Sequence, residues 1–231
     1  MEELWEQLAR GMQAGKPVHP KKVKARISPG SGNLFTPWGP PYNERGLNLA
    51  GGPESQTIKV LTAVANLVHP AAWVFLGADD YAISVNRRDG RPRVSQKVVS
   101  GYFRQLQLLL KRLIPSASFH LWSEVKEKEA EKCHQLSRDL TDEFLLELVG
   151  PGLFDQACEA ARRLNDLEHR SQARDLAFRY LRERLIESEI AEALWQPVKI
   201  SLAPPHKDLI VDGPLPVLYL VPKELRTPWL K

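Results

Sequence analysis

Ser28 is the first residue of this chain whose type and setting could do chemistry. It stands in Ile27-Ser28-Pro29-Gly30-Ser31-Gly32-Asn33, where an apolar run from Val23 to Ile27 breaks into small, hydroxyl-bearing residues. Read as an extended strand, Val23–Ile27 would end in a loop whose Gly30 and Gly32 can take backbone angles closed to most residues. The exit of a strand is where open α/β sheets bind ligands, because backbone N–H groups and small side chains approach a guest closely there. A serine at that mouth is either a nucleophile or a turn residue. No G-x-S-x-G elbow surrounds it and no ordered His and Asp partners can be assigned, so a Ser-His-Asp triad is not readable.

Two helical segments and one loop carry the other candidates. In 171–195, Tyr180 and Glu187 are seven apart and share a face, Leu185 and Glu189 share another, and Glu183 and Glu192 add carboxylates. Arg179, Arg182 and Arg184 lie among them, and the plain reading of any one glutamate is a surface ion pair with such an arginine. In 94–114, Lys97, Arg104 and Lys111 recur every seven residues beside an apolar face of Val98, Tyr102, Leu106, Leu109 and Leu113, with Arg112 at the end of the stripe. Arg87, Arg88, Arg91 and Arg93 extend the cluster. Such a stripe is either a solvated helix face or a surface that tracks phosphates, whose binding would depend strongly on salt. His206, in Pro204-Pro205-His206-Lys207-Asp208, follows an expected strand and could line a pocket.

Other chemistries find little support. Gly30-x-Gly32 matches a dinucleotide fingerprint only in part, since Phe35 takes the third glycine position and Pro37 stands where the helix should begin. No phosphate-binding G-x-x-x-x-G-K-[ST] occurs. Cys133 and Cys158 lack ligand spacing, so neither a metal nor a disulfide framework is expected, and no cofactor is implied. A net charge of +4 permits a polyanionic partner without requiring one. No apolar run approaches the roughly 18 residues that span a bilayer, and the acidic Met1–Glu6 segment is unlike a signal peptide, so a cytoplasmic protein away from membranes, and a monomer, is the expectation.

The elements that would position these groups alternate. The pattern predicts a helix over 2–14 and a basic linker over 16–24, which set residues 1–22 apart from one domain over 23–231. The first strand, 23–27, is followed by a proline- and glycine-rich loop over 36–56. Helices follow at 56–68 and 94–114, strands at 73–76 and 118–122, then helices at 124–147, 153–169 and 171–195 and strands at 198–202 and 217–221. Strands alternating with helices imply an α/β, Rossmann-like three-layer sandwich: a mainly parallel sheet of about five strands, with 124–170 as a helical excursion.

In order and motif the chain resembles the tRNA-dependent cyclodipeptide synthases, whose catalytic domain is like that of class I aminoacyl-tRNA synthetases without the ATP motifs. Ile27-Ser28-Pro29-Gly30 resembles the element that holds the family's serine nucleophile, with Asn33 near a family asparagine. Trp73–Leu76 and the basic helix after it resemble the family's second strand and tRNA-holding helix. Phe119–Val125 is similar to the next strand and helix start, and Val217–Glu224 to the terminal strand. The family's late helix carries a Tyr and a Glu four apart. Here Arg184 stands four after Tyr180, while Leu185 and Glu189 fit the shape with Leu for Tyr, so the pair is either displaced onto Tyr180 with Glu183 or Glu187, or its tyrosine is lost. The family's Tyr-His is matched as Pro205-His206.

The resemblance implies an aminoacyl-tRNA-dependent acyltransferase, needing no ATP because its substrate is already an activated ester. Ser28 would accept the aminoacyl group, with N–H groups near Gly30 and Gly32 facing the oxyanion. One of Glu189, Glu187 and Glu183 would hold the substrate ammonium, Tyr180 would assist proton transfer, and Asn33 and His206 would line the substrate site. Lys97, Arg104, Lys111 and Arg112 would grip tRNA. A second aminoacyl-tRNA would supply the amine that leads to a cyclic dipeptide. Transfer of a single aminoacyl group to a small molecule or peptide, and a non-catalytic nucleotide- or RNA-binding module, are the alternatives.

Overall fold

In the computed structural model the described residues are 12–14, 20–27, 32–39, 47, 53–79, 94–201 and 214–222. Their elements, in chain order, are β1 (Met12–Ala14), α1 (Pro20–Arg26), β2 (Asn33–Trp38), α2 (Pro53–Val68), β3 (Ala72–Gly77), α3 (Gln96–Leu113) and β4 (Ala117–Leu121). Then come α4 (Trp122–Lys128), α5 (Ala130–Asp139), α6 (Asp142–Leu164), a 3₁₀ turn (Arg170–Ala173), α7 (Arg174–Trp195), β5 (Val198–Ser201) and β6 (Val217–Pro222). One six-stranded sheet runs in the order β1-β6-β5-β2-β3-β4. The five strands from β2 to β6 are parallel and β1 is antiparallel at the edge.

Alternation along the strands sends side chains to two cores. Leu34, Trp38, Trp73, Phe75, Val198, Ile200 and Leu218 pack with α1, α2 and α3. Phe35, Val74 and Leu76 face α4 to α7. Helices on both faces of a parallel sheet make the expected three-layer α/β sandwich, and α4 to α6 are the helical excursion. Gly150, at φ 74°, breaks α6 just before Pro151.

Three sequence expectations fail. Residues 12–14 are not helical; they pair with β6, Gln13 opposite Val221. Residues 23–27 are not a strand, because Pro20–Arg26 is helical and buries Val23 and Ile27 four residues apart on one side. That spacing fits a helix face as well as it fits alternation in a strand. The first parallel strand is instead Asn33–Trp38, whose second half was read as loop because it contains Pro37.

Pro37 explains its own tolerance. The carbonyls of Gly32 and Trp38 accept from Ala71 and Ala78, so the even positions of β2 turn their polar groups to β3 and the odd ones to β5. The ladder with β5 registers Leu34 with Val198 and Phe35 with Lys199, and Pro37 comes after the last registered pair. With no N–H to offer, Pro37 cannot continue that ladder. The β2–β5 ladder thus ends before Pro37.

Gly32 joins α1 to β2 by close approach: a Cβ there would run into the Arg26 carbonyl oxygen, which is backbone and cannot swing aside. Gly32→Ala should lower stability by about 1–3 kcal/mol, as overpacking does. A urea midpoint unchanged by this substitution would show that the α1–β2 approach is looser than described.

Candidate active site

The sheet's topology selects one place for a ligand. From β2 the chain steps outward through β3 and β4, then returns past β2 to lay down β5 and β6 on the other side. The order reverses between β2 and β5, and the crevice beyond the carboxyl ends of two such strands is where open α/β sheets bind guests. Here the registered β2–β5 ladder ends before Pro37. Lys199 is in register with Phe35, so it shares the α7-facing side of the sheet, and Ser201 two residues on does too. Both are buried, an unusual place for a lysine.

α7 closes this side. Trp195 at its end stacks on Phe35 (ring centroids 6.0 Å apart) and on His120 (5.6 Å), which fixes the face of α7 that meets the sheet. Positions 180, 184, 187 and 191 precede Trp195 at helical spacing, so Tyr180, Arg184, Glu187 and Ala191 lie on that face. Glu187 is only 3% exposed and accepts from Arg184 Nη1 at 2.8 and 3.0 Å. Tyr180, Arg184, Glu187, Ser188, Lys199 and Ser201 all hold further interactions. This is a crowded polar interior, with a phenol, a guanidinium, a carboxylate, an ammonium and hydroxyls close to the sheet's switch point.

Glu183 borders the stripe on the β4 side. Its Oε1 accepts from Trp122 Nε1 at 2.6 Å and from Lys126 Nζ at 2.7 Å. α4 is itself pinned by the buried Asp79, just past β3, which accepts from the Ser123 backbone N–H at 3.0 Å and from the Ser123 hydroxyl. Asp79 thus satisfies the open amino end of α4 from a distant part of the chain.

The other expected residues sit elsewhere. Glu189, two positions from Glu187, turns away from the sheet. Burial raises the pKa of its carboxyl, the charge of Glu192 adds to this, and Lys132 and Lys22 oppose it. Asn33 donates to the Trp195 carbonyl at 2.9 Å and so caps the carboxyl end of α7. Arg26 clasps Glu192 through both terminal nitrogens at 2.7 Å and reaches the Pro197 carbonyl at 3.2 Å. Glu183 and Glu192 are about 13 Å apart along the helix. Arg26, Ile27, Gly32 and Asn33 therefore belong to the amino ends of the strands, the opposite end from Glu183. Ser28, Gly30 and His206 lie outside the described residues, as do Arg87 to Arg93.

Lys97, Arg104, Lys111 and Arg112 are exposed on α3 and form no ion pair among the described residues. Among the described residues no group of three or more His, Cys, Asp or Glu is placed to hold a metal, and no helix is long and apolar enough to cross a membrane. His120 has a depressed pKa, first because it is buried and then because Lys128 is near. Lys199, Ser201, Asp79 and Arg184 were missed as site residues. The only sequence signal for Lys199 was a lysine inside a short apolar run expected to be a buried strand.

Two measurements check this arrangement. Arg184→Met should destabilise the protein by about 3–5 kcal/mol, because it leaves the Glu187 carboxylate buried without that partner, and Arg184→Met/Glu187→Gln should recover much of the loss. Independent effects that simply add would contradict the pairing. For Glu189, a carboxyl whose pKa is raised on folding penalises the folded state above that pKa and is neutral below the unfolded value of about 4.3. Glu189→Gln should therefore raise the melting temperature at pH 7, with the gain fading toward about pH 4. A gain that grows on acidification would reverse the assignment.

No protein-family model matches this chain, and no curated protein does. Among solved structures, the chain is similar to a cyclodipeptide synthase (CDPS) from Fluoribacter dumoffii, at 12% identity and a TM-score of 0.53 over 90% of this chain and 96% of that one. At that identity the likeness is one of fold: this chain has the Rossmann-like α/β arrangement of that enzyme over nearly its whole length.

Proposed function

We propose that the chain is a tRNA-dependent acyltransferase that builds a cyclic dipeptide from aminoacyl-tRNA, with its chemistry beyond the carboxyl ends of β2 and β5. The observation that carries this reading is the joint one: a fold like that of a CDPS, with Tyr180, Arg184 and Glu187 on the sheet-facing side of α7. An aminoacyl ester brings its own activation, so the chain needs to bind, orient and move protons, and a buried polar interior suits those tasks.

Glu187 receives the substrate ammonium, with Arg184 holding the carboxylate in place. A nucleophile attacks the ester carbonyl carbon, the C–O bond to the tRNA breaks, and the departing ribose oxygen takes a proton, which Tyr180 is placed to relay. The amine of a second aminoacyl-tRNA then attacks the acyl-enzyme ester, forming the first amide as the bond to the acceptor oxygen breaks and that oxygen takes up the proton the amine loses. The free amine of the dipeptide attacks the second ester, releasing the second tRNA and closing the ring. Lys97, Arg104, Lys111 and Arg112 supply the backbone grip.

The acceptor of the first acyl group is the point at which sequence and structure divide. Ser28 is expected at the exit of a strand over 23–27, but 23–26 belong to helix α1, and Ser28 itself lies outside the described residues. Ser201 is the hydroxyl that β5 itself carries at its carboxyl end, and this reading gives it the acceptor role.

The test uses radiolabelled aminoacyl-tRNA and the purified chain, reading both protein-bound label and cyclic product. Glu187→Gln and Ser201→Ala should each reduce product at least about tenfold, the scale on which one oriented group contributes to catalysis. Ser28→Ala should leave product intact. Loss of label and product in Ser28→Ala alone would move the chemistry to the amino end of the sheet. Tight tRNA binding with no label and no product from the wild-type chain would favour the non-catalytic RNA module.

A further inference from the structure

The basic stripe on α3 is matched, on the opposite layer of the sandwich, by a cluster at the end of the helical excursion. Glu159 on α6 is the hub. It accepts from Arg162 Nε and Nη2 at 2.8 Å each, from Arg163 Nε at 2.8 Å and from Arg170 Nε at 3.4 Å. One carboxylate thus faces three guanidinium groups. Arg162 commits all three of its nitrogens within the cluster, since its Nη1 donates to the Leu167 carbonyl at 3.0 Å and closes the end of α6.

Arg163 and Arg170 differ. Each gives Glu159 only its Nε, and their side chains stay 73% and 58% exposed. The nearest other carboxylate is Asp155, 3.8 Å from Arg170, too far for a hydrogen bond. Both arginines line an open cavity of about 260 Å³ together with Asp155, Gln156, Glu159 and Ala160. Held by Nε, a guanidinium still has the N–H groups of its two terminal nitrogens to offer to the oxygens of a phosphate, although at Arg170 one of these nitrogens faces Asp155. Arg174, on the rings of Phe154 and Phe178, adds a further cation to this part of the helical layer.

We infer that Arg163 and Arg170, organised by Glu159, form a second phosphate-binding site, occupied by the backbone of the RNA substrate. The inference rests on the aminoacyl-tRNA reading above. It gives the RNA a contact on the layer opposite α3, so that the nucleic acid is gripped on both faces of the sheet. The occupant is a backbone phosphodiester because the site is open and cationic, and offers no enclosed pocket for a base or sugar.

Binding of uncharged tRNA to the full chain, followed by fluorescence anisotropy across a KCl series, tests this. Arg163→Gln/Arg170→Gln should weaken binding about tenfold at low salt and reduce the slope of log K against log[KCl] by about 1–2, one unit or slightly less per lost contact. Asp155→Asn, which removes an opposing charge without touching the hub, should tighten binding. If the double variant proves less stable by melting, Arg170→Gln alone suffices, since its bond to Glu159 is the longest of the set, and the slope should fall by about 1. The inference is overturned by a double variant that matches wild type while Lys97→Gln/Lys111→Gln loses affinity. Inorganic phosphate at matched ionic strength should displace tRNA from the wild type more than from the double variant, and equal displacement from both would also overturn the inference. Because the probe is uncharged tRNA, a chain that makes no cyclic product yet keeps the predicted slope change loses the acyltransferase reading alone.

Discussion

The middle of helix α7 is largely buried, and much of the structure is arranged to satisfy it. Leu181, Leu185, Ile186 and Ile190 fill the core between the sheet and the excursion, and Glu187 and Ser188 are buried with them. Charged residues on so buried a stretch need partners inside, and several of them have one. Arg182 bonds the Leu140 carbonyl and Asp142 on α6, Glu183 bonds Trp122 and Lys126 on α4, Glu192 bonds Arg26 on α1, and Glu187 bonds Arg184. The first three tie α6, α4 and α1 to the same rod, and the fourth lies within α7 itself. Removing one partner is thus more damaging than the modest worth of an exposed ion pair would suggest.

That arrangement sorts the polar residues into two ends. At the amino ends of the strands, Arg26, Asn33 and Glu192 hold α1, β2 and the end of α7 together, and their hydrogen bonds are spent on structure. At the carboxyl ends, the β2–β5 ladder ends before Pro37, and Tyr180, Arg184 and Glu187 share the sheet-facing side of α7. Open α/β sheets bind guests beyond the carboxyl ends of such strands, which is why the chemistry is proposed there. The exposed cations of α3 and the Glu159 cluster lie on opposite outer layers of the sandwich.

Much of the architecture was legible in the sequence. β3, β4, β5, β6 and α3 appear within a few residues of the bounds that periodicity predicts, because each is a buried apolar run or a long amphipathic pattern. The first parallel strand was hidden by Pro37, whose missing N–H is harmless only where the neighbouring ladder ends, and no single-chain pattern reveals where that is. Val23–Ile27 misled for the opposite reason: in so short a segment, spacing by two and spacing by four select the same pair of residues. Tyr180 and Glu187 were rightly placed on one helical face. Which glutamate faces the sheet, however, depends on how α7 is rolled, and the stacking of Trp195 on Phe35 and His120 decides that only in three dimensions. Lys199 and Ser201 were invisible as site residues, since their role depends on what lies across the sheet from them.

The central claim is that substrate binds at the carboxyl ends of β2 and β5. Hydrogen exchange of the full chain, with and without a non-hydrolysable amide analogue of an aminoacyl-tRNA 3′ end, tests it most directly. The account predicts slowed exchange at Lys199–Ser201 and over Arg184–Ser188, with residues 20–33 unchanged. Slowing confined to 20–33, with the β5 and α7 amides unaffected, would contradict it.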